Sequence, residues 1–267
     1  MKSIIVGIDG SQAAIAAAPW AVDEAIGRGK PLRLISVIKQ THPSSDDYAR
    51  YLGHAEISLE EAQLAVKASG KPVNVETDIA RGPAGPVLVE LSRDAELVCL
   101  GSVGIGRYAR SLLGSTATEL AEKSRCPVAV IRTASDQPPP EINWIVVRMT
   151  DAPENDAVVK AAAWEAKLRR APMLVLGGRP EDLTEHADGD FERRVQDWRQ
   201  RHPEVRVYPI TTKYGIASFL KSTDERVQLA VISGAEADQL ARLIGPHGHP
   251  LFRHPECSVL VVRGASA

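Results

Sequence analysis

The 267-residue chain has no apolar run long enough to span a bilayer, and Met1-Lys2-Ser3 leads directly into the strand-like Ile4-Ile5-Val6. A spanning helix needs about 20 consecutive apolar residues, and a secretory leader needs a charged start before its apolar stretch. Neither pattern occurs, so the expected compartment is cytoplasmic and no membrane partner is expected. An excess of charge is missing as well: 32 Lys and Arg stand against 34 Asp and Glu, for a net charge of −2. With no general basic field, nucleic acid is set aside as a partner. Cysteine is scarce. Cys99, Cys126 and Cys257 cannot all pair, no Cys-x-x-Cys occurs, and each lies in or beside an apolar run. They read as buried free thiols of a reducing compartment, not as a metal or redox set. Also absent are a Walker lysine motif, a kinase-type Asp-Phe-Gly and a Gly-x-Ser-x-Gly nucleophile elbow.

What is present is a globular composition, 44% hydrophobic and 25% charged, in a length sufficient for one large domain or two ordinary ones. An internal repeat decides between these. Displaced by 141 positions, Ile4-Ile5-Val6 falls on Ile145-Val146-Val147, Glu24-Ala25 on Glu165-Ala166, Arg28 on Arg169 and Pro31 on Pro172. The displacement then shrinks to 132, where Val73-Asn74-Val75 meets Val205-Arg206-Val207. It ends at 131, with Gly114 on Gly245, Cys126 on Cys257 and Val128-Ala129-Val130 on Val259-Leu260-Val261. Such self-similarity marks a duplicated unit. The polar, proline-rich stretch Thr133 to Glu141 suits an extended connector. The expected division is a first domain over 1–133, a linker over 134–144 and a second domain over 145–267.

Within the first copy, runs rich in Val, Ile and Leu near 3–8, 32–38, 73–79, 96–100 and 127–132 alternate with helical patterns near 12–28, 47–69, 84–93 and 115–124. Near-continuous apolar strands indicate burial on both faces, hence a parallel sheet covered by helices. Right-handed crossovers make it doubly wound, with ligands expected beyond the C-terminal strand ends at a switch point. Gly82-Pro83 fits a helix start with proline at the first helical position.

The sharpest signal is a glycine loop. Strand-like Leu97-Val98-Cys99-Leu100 enters Gly101-Ser102-Val103-Gly104-Ile105-Gly106, and Gly114-Ser115-Thr116 opens the next helical pattern. Glycines let backbone N–H groups approach an anion without interference from Cβ, and a helix start adds donors and a favourable dipole. The spacing reads as a phosphate-binding loop for a nucleotide.

Val6-Gly7-Ile8-Asp9-Gly10-Ser11, Gly82-Pro83-Ala84 and Gly101-x2-Gly104-x9-Gly114-Ser115 resemble the universal stress protein family, in particular its tandem members, and the last pattern resembles the ATP-binding branch. The likeness covers the whole first half and the second half as fold alone. It implies two doubly wound five-stranded parallel α/β sheets of strand order 3-2-1-4-5. It implies that Asp9 lies near the adenosine moiety, with Gly7 and Ile8 lining the site and the backbone of Val37 reading the adenine edge. Gly101, Ser102 and Gly104 would approach ribose and phosphates, and Gly114, Ser115 and Thr116 would donate to the phosphate tail. Mg²⁺ would be held mainly by the phosphates, with Ser115 or Thr116 as optional ligands. Val103 departs from the pattern, since the family often has arginine or histidine there. The resemblance also implies pairing through fifth strands, so that Val128 to Ile131 and Ser258 to Val262 could pair within one chain or between copies.

Plainer readings stand beside these. Asp9 and Ser11 before an alanine-rich helix are ordinary caps, and Arg107 and Arg110 suit a solvated face better than phosphate contacts. The second copy departs at the chemical positions: Thr150 replaces Asp9, Asp151 Gly10, Ala152 Ser11, Ser233 Gly101, Glu236 Gly104 and Pro246 Ser115. A carboxylate facing a phosphate costs about 4 kcal/mol at roughly 4 Å and an effective dielectric of about 20, and proline removes a donor. The second site is therefore expected to be lost. His247, His249, His254 and Cys257 lack the paired spacing of zinc ligands and read as loop residues. The expected function is an ATP-binding regulatory stress-response protein with at most weak ATPase activity and no catalytic residues, because no charge clamp or positioned base accompanies the loop. The alternative is an interaction scaffold, a pseudo-dimer whose first site is vestigial or takes another adenine nucleotide.

Overall fold

The computed structural model describes residues 2–39, 44–102, 113–132, 143–177, 185–212, 214–239, 243 and 257–263, with backbone alone for 185–190. Contacts divide the chain into two units, Met1–Thr133 and Ala134–Ala267.

The first unit runs β1 (Ser3–Gly7), α1 (Gln12–Arg28), β2 (Leu32–Ile38), α2 (Ser45–Ala68), β3 (Val75–Arg81), α3 (Ala84–Leu91), a 3₁₀ turn (Ser92–Asp94), β4 (Ala95–Gly101), α4 (Ser115–Lys123) and β5 (Val128–Ile131). All pairings are parallel, in the order β3-β2-β1-β4-β5. Strands β1, β4 and β5 are buried almost throughout, in keeping with their unbroken apolar runs. Helix α1 starts at Ser11, whose hydroxyl caps the Ala14 amide, and stops at Gly29 in the left-handed conformation. Its buried stripe of Ala14, Ala17, Ala18, Ala21 and Ala25 brings the helix backbone close to the sheet.

Two local expectations shift. Strand β3 spans Val75–Arg81 instead of 73–79, because it pairs residue for residue with the whole of β2, from Leu32 opposite Val75 to Ile38 opposite Arg81. Its exposed Glu76, Thr77 and Asp78 hide that extent from an apolar search. Pro83 is the residue before α3, with φ −70° and ψ 130°, and Ala84 is the first helical one. The preceding Gly82, at φ 140°, sets the turn.

The second unit repeats the plan with β6 (Trp144–Arg148), α5 (Asn155–Leu168), β7 (Met173–Gly177), α6 (Glu185–Arg201), β8 (Val207–Thr211), α7 (Ile216–Ser222), β9 (Val227–Ser233), a 3₁₀ segment (Gly234–Gln239) and β10 (Ser258–Val262). Its parallel order is β8-β7-β6-β9-β10. The registers themselves are duplicated. Val6 lies opposite Leu34 and Cys99, and Val147 lies opposite Val175 and Val231. Leu32 meets Val75 as Met173 meets Val207, and Val98 meets Val128 as Ala230 meets Val259. These partners stand at the displacements found in the sequence. All three cysteines are buried, and none is in a disulfide. Among the described residues, no helix is long and apolar enough to cross a membrane.

Candidate functional site

In the first unit a crevice opens where β1 and β4 end. Their pairing stops at Val6 opposite Cys99, whereas β1 keeps pairing with β2 to Gly7–Ile35, and β4 with β5 to Gly101–Ile131. Beyond that point the Ile8 amide donates to Ile35 O at 2.8 Å, away from β4, and the Ser102 amide donates to Ile131 O at 2.9 Å, away from β1. The chain then leaves β1 and β4 towards opposite faces. A Cβ on Gly101 would press on the backbone of Ala13 and Ala14 in α1, whereas its neighbour Leu100 and also Gly7 meet at the Leu88 side, on α3. This is the geometry of a switch point, where doubly wound sheets place ligands.

One wall of the crevice is the turn after β1. Ile8 is buried, and the exposed Asp9 accepts the Ser11 amide through Oδ1 at 3.0 Å. Gly10 sits at φ 84°, open to glycine and strained for other residues. A Cβ there would also lie 2.6 Å from Ser58 Oγ and 3.3 Å from the His54 ring, so α2 closes directly over the turn. Val37 is half-buried near the end of β2, two residues beyond the partner of Gly7, and opposite Ala80.

The other wall is built from the end of β4 and the start of α4. Ser102 is buried at 1% exposure, and its carbonyl accepts the Gly114 amide at 3.2 Å, which brings the two ends of the glycine loop together. Gly114 is the cap residue of α4, at φ −66° and ψ 143°, and makes no side-chain cap bond; Ser115 and Thr116 open the first turn. Such a start presents backbone donors and the positive end of the helix dipole. Gly104, Val103, Arg107 and Arg110 lie outside the described residues. The structure thus brings Gly7, Ile8, Asp9, Gly101, Ser102, Gly114, Ser115 and Thr116 to the C-terminal ends of two adjacent strands. The reason for one glycine differs from the sequence expectation. Gly101 is glycine because a Cβ would sit 2.5 Å from Ala13 C and 2.6 Å from Ala14 N, so its small size serves helix packing whatever the crevice holds.

At the corresponding turn of the second unit, side chains take up the backbone donors and acceptors. Asn155, at the place of Ala14, accepts the Thr150 amide through Oδ1 at 2.8 Å and donates from Nδ2 to Arg148 O at 2.8 Å. Arg194 on α6 pairs with Asp151 and donates to Thr150 O at 2.8 Å. Glu236 turns back onto the end of β9, where its Oε2 accepts both the Ser233 amide at 3.1 Å and the Ser233 hydroxyl at 3.0 Å. The carboxylate foreseen as a repelling wall is thus an internal anion seated on the donor that the loop would otherwise offer. Beside the turn, a cleft of about 340 Å³ runs between α5 and α6, bordered by Thr150, Asp151, Asp156, Arg194, Asp197 and Trp198. Pro246, His247, His249 and His254 lie outside the described residues. Among the described ones, no cluster of His, Cys, Asp or Glu is arranged to hold a metal.

Sequence reasoning passed over His54, Asn155 and Arg194. No motif marks them. His54 and Arg194 act on turns that the fold brings near, and Asn155 reaches back over the turn just before its own helix.

Comparison with known proteins agrees with this architecture. Residues 1–132 match the model of the universal stress protein family. The universal stress protein Rv2624c of Mycobacterium tuberculosis strain H37Rv is 74% identical over 263 residues, covering 98% of this chain and 97% of that protein. A second protein of the same strain, universal stress protein Rv2028c, is 33% identical over 266 residues, with 97% and 95% covered. Among solved structures, a universal stress protein from Archaeoglobus fulgidus DSM 4304 superposes with a TM-score of 0.71 at 15% identity over 98% of this chain and 96% of its own. A putative universal stress protein from Pseudomonas aeruginosa UCBPP-PA14 gives 0.63 at 17% identity, covering 99% and 94%. The fold is thus shared with these structures over nearly the whole of each chain. The chain belongs to the universal stress protein family, as a tandem member.

Proposed function

We propose that this chain is an ATP-binding regulatory protein of the stress response, with one nucleotide in the first unit and slow or no hydrolysis. The observation that carries the reading is the convergence at one crevice of the Asp9 turn, the end of β4 and the glycine-capped start of α4. In this reading Asp9 faces the ribose, the Val37 backbone reads the adenine edge and Gly7 and Ile8 line the base. Gly101, Ser102 and Gly104 border the ribose and phosphates, while the first-turn amides after Gly114, with Ser115 and Thr116, take the phosphate tail. The donor set suits an anion: backbone amides and hydroxyls, with the helix dipole aligned. Mg²⁺ enters with the phosphates. The second unit holds no nucleotide, because Asn155, Arg194 and Glu236 already occupy the equivalent donors and acceptors.

A second reading has its own support. Asp9 and Ser11 are engaged in capping α1, and Gly101 is accounted for by packing, so these features have structural uses without a ligand. An interaction scaffold, pairing through fifth strands, would keep them. The discriminating experiment is simple. The purified protein is denatured, the supernatant is read for ultraviolet absorbance, and any nucleotide is identified by mass. Adenine nucleotide near one per chain supports binding; its absence, together with no ATP uptake in calorimetry, supports the scaffold.

A further inference from the structure

We infer that the cleft between α5 and α6 of the second unit binds a small zwitterion, an α-amino acid with an aliphatic side chain. The inference does not depend on the nucleotide reading, which concerns the first unit.

The cleft arises from a difference between the duplicated helix pairs. In the first unit α1 and α2 pack against each other, and Ala14, Ala18, Ala62 and Val66 are buried. At displacements of 141 and 132 these positions become Asn155, Val159, Arg194 and Trp198. Larger side chains keep the second pair from closing in the same way, and about 340 Å³ is left between the helices. That volume lies at the small end of the range for small-molecule pockets, about 300–1,000 Å³.

The chemistry of the cleft is set by what its side chains leave unused. Trp198 is 4% exposed and stacks on His202 with ring centroids 4.3 Å apart, which fixes the indole. Among the described residues its N–H has no acceptor. A donor on so buried a ring is normally satisfied, so an acceptor belongs in the cleft. Arg194 is paired with Asp151, and Asp156 with Lys160 at 2.7 Å. Asp197 and Arg201 differ. They stand four residues apart on α6, the spacing at which an acid and a base pair along a helix. Among the described residues, however, neither side chain makes an ion pair. Arg201 instead turns its Nε to the Asp197 carbonyl at 3.2 Å, and both residues are exposed where they line the cleft.

What remains is the Asp197 carboxylate, the terminal nitrogens of Arg201 and the Trp198 N–H, beside the buried apolar Met149 and Val159. A ligand carboxylate matches the guanidinium and the indole N–H, and a ligand ammonium matches Asp197. An aliphatic side chain matches Met149 and Val159. A metal ion does not match, because among the described residues no acidic groups are gathered to hold one. A ligand of a single charge leaves either Asp197 or Arg201 unanswered.

The test is calorimetry of the full chain with L-leucine, with 4-methylpentanoate, which lacks the amine, and with 3-methylbutylamine, which lacks the carboxylate. Leucine is expected to bind saturably with a Kd of about 0.1–1 mM, and each analogue about tenfold more weakly. Asp197→Asn and Arg201→Gln should each weaken leucine about tenfold, with unchanged melting because both positions are exposed. Trp198→Phe keeps the ring, removes the N–H and should cost about threefold. No saturable binding of leucine up to about 10 mM overturns the inference. So does 4-methylpentanoate binding as tightly as leucine, or leucine affinity that survives both Asp197→Asn and Arg201→Gln. ATP binding measured on the same wild-type sample reports on the first unit separately, so either reading can fail without the other.

Discussion

Two glycines at the mouth of the first crevice look alike in sequence and differ in physical role. A methyl group on Gly101 meets the backbone of α1 at 2.5 and 2.6 Å, and backbone cannot swing aside as a side chain can. Gly101→Ala should therefore destabilise the first unit by about 2–4 kcal/mol, seen as a lower urea midpoint. Gly114 has φ −66°, and the nearest atom to an added Cβ is Ser102 O at 3.9 Å. Gly114→Ala should change stability by less than about 1 kcal/mol. A similar contrast separates Ala14 from its counterpart Asn155. Asn155→Ala in the second unit leaves the Thr150 amide and the Arg148 carbonyl without their partner, in a residue only 8% exposed. The expected loss is about 2–3 kcal/mol in chemical unfolding, although alanine is the residue that the first unit uses at this place.

At the scale of elements, the first helix of each unit carries the same buried ion pair. Glu24 in α1 has a fully buried side chain and takes Arg28 at 3.0 Å; Glu165 in α5, equally buried, takes Arg169 at 2.9 Å. Removing the cation leaves a carboxylate inside the protein, so Arg28→Ala and Arg169→Ala should each cost about 3 kcal/mol in melting or urea experiments. The repeat displayed these four residues, but their burial became visible only with the helices in place. Cys126 is a second buried group with a readable consequence. Burial pushes its thiol above the usual 9.0, against the opposing pull of the Ser124 hydroxyl. The native state thus holds the proton more firmly than the unfolded chain, so this contribution to stability is full below about pH 9 and fades as pH rises beyond it. Cys126→Ala should flatten the alkaline decline of stability, and wild-type Cys126 should resist alkylation until the chain unfolds. Elements built from buried apolar strands were legible in the sequence for the reason that makes them stable: both faces need apolar cover. Strand β3 was displaced by two residues because its polar exposed face carries no such mark.

At the scale of the whole molecule, the duplication is written into both sequence and strand register, and the departures of the second copy at the chemical positions were visible as substitutions. How the side chains around them are bonded was not. Asn155, Arg194 and Glu236 act through side chains that reach back over a turn or across from another helix, and spacing in the sequence does not encode such reach. The same applies to His54, which lies 44 residues from Gly10 and joins it only through the packing of α2. What the two units share is scaffold; in the second the donors of the turn face internal groups, and the proposed reading gives those of the first to a nucleotide. The direct test is the stoichiometry of ATP binding by the intact chain in calorimetry, for wild type, Gly114→Glu and Glu236→Gln. One site per chain, abolished by Gly114→Glu and unaltered by Glu236→Gln, is the predicted result. Two sites per chain, or a single site that survives Gly114→Glu, would contradict the assignment of the nucleotide to the first unit.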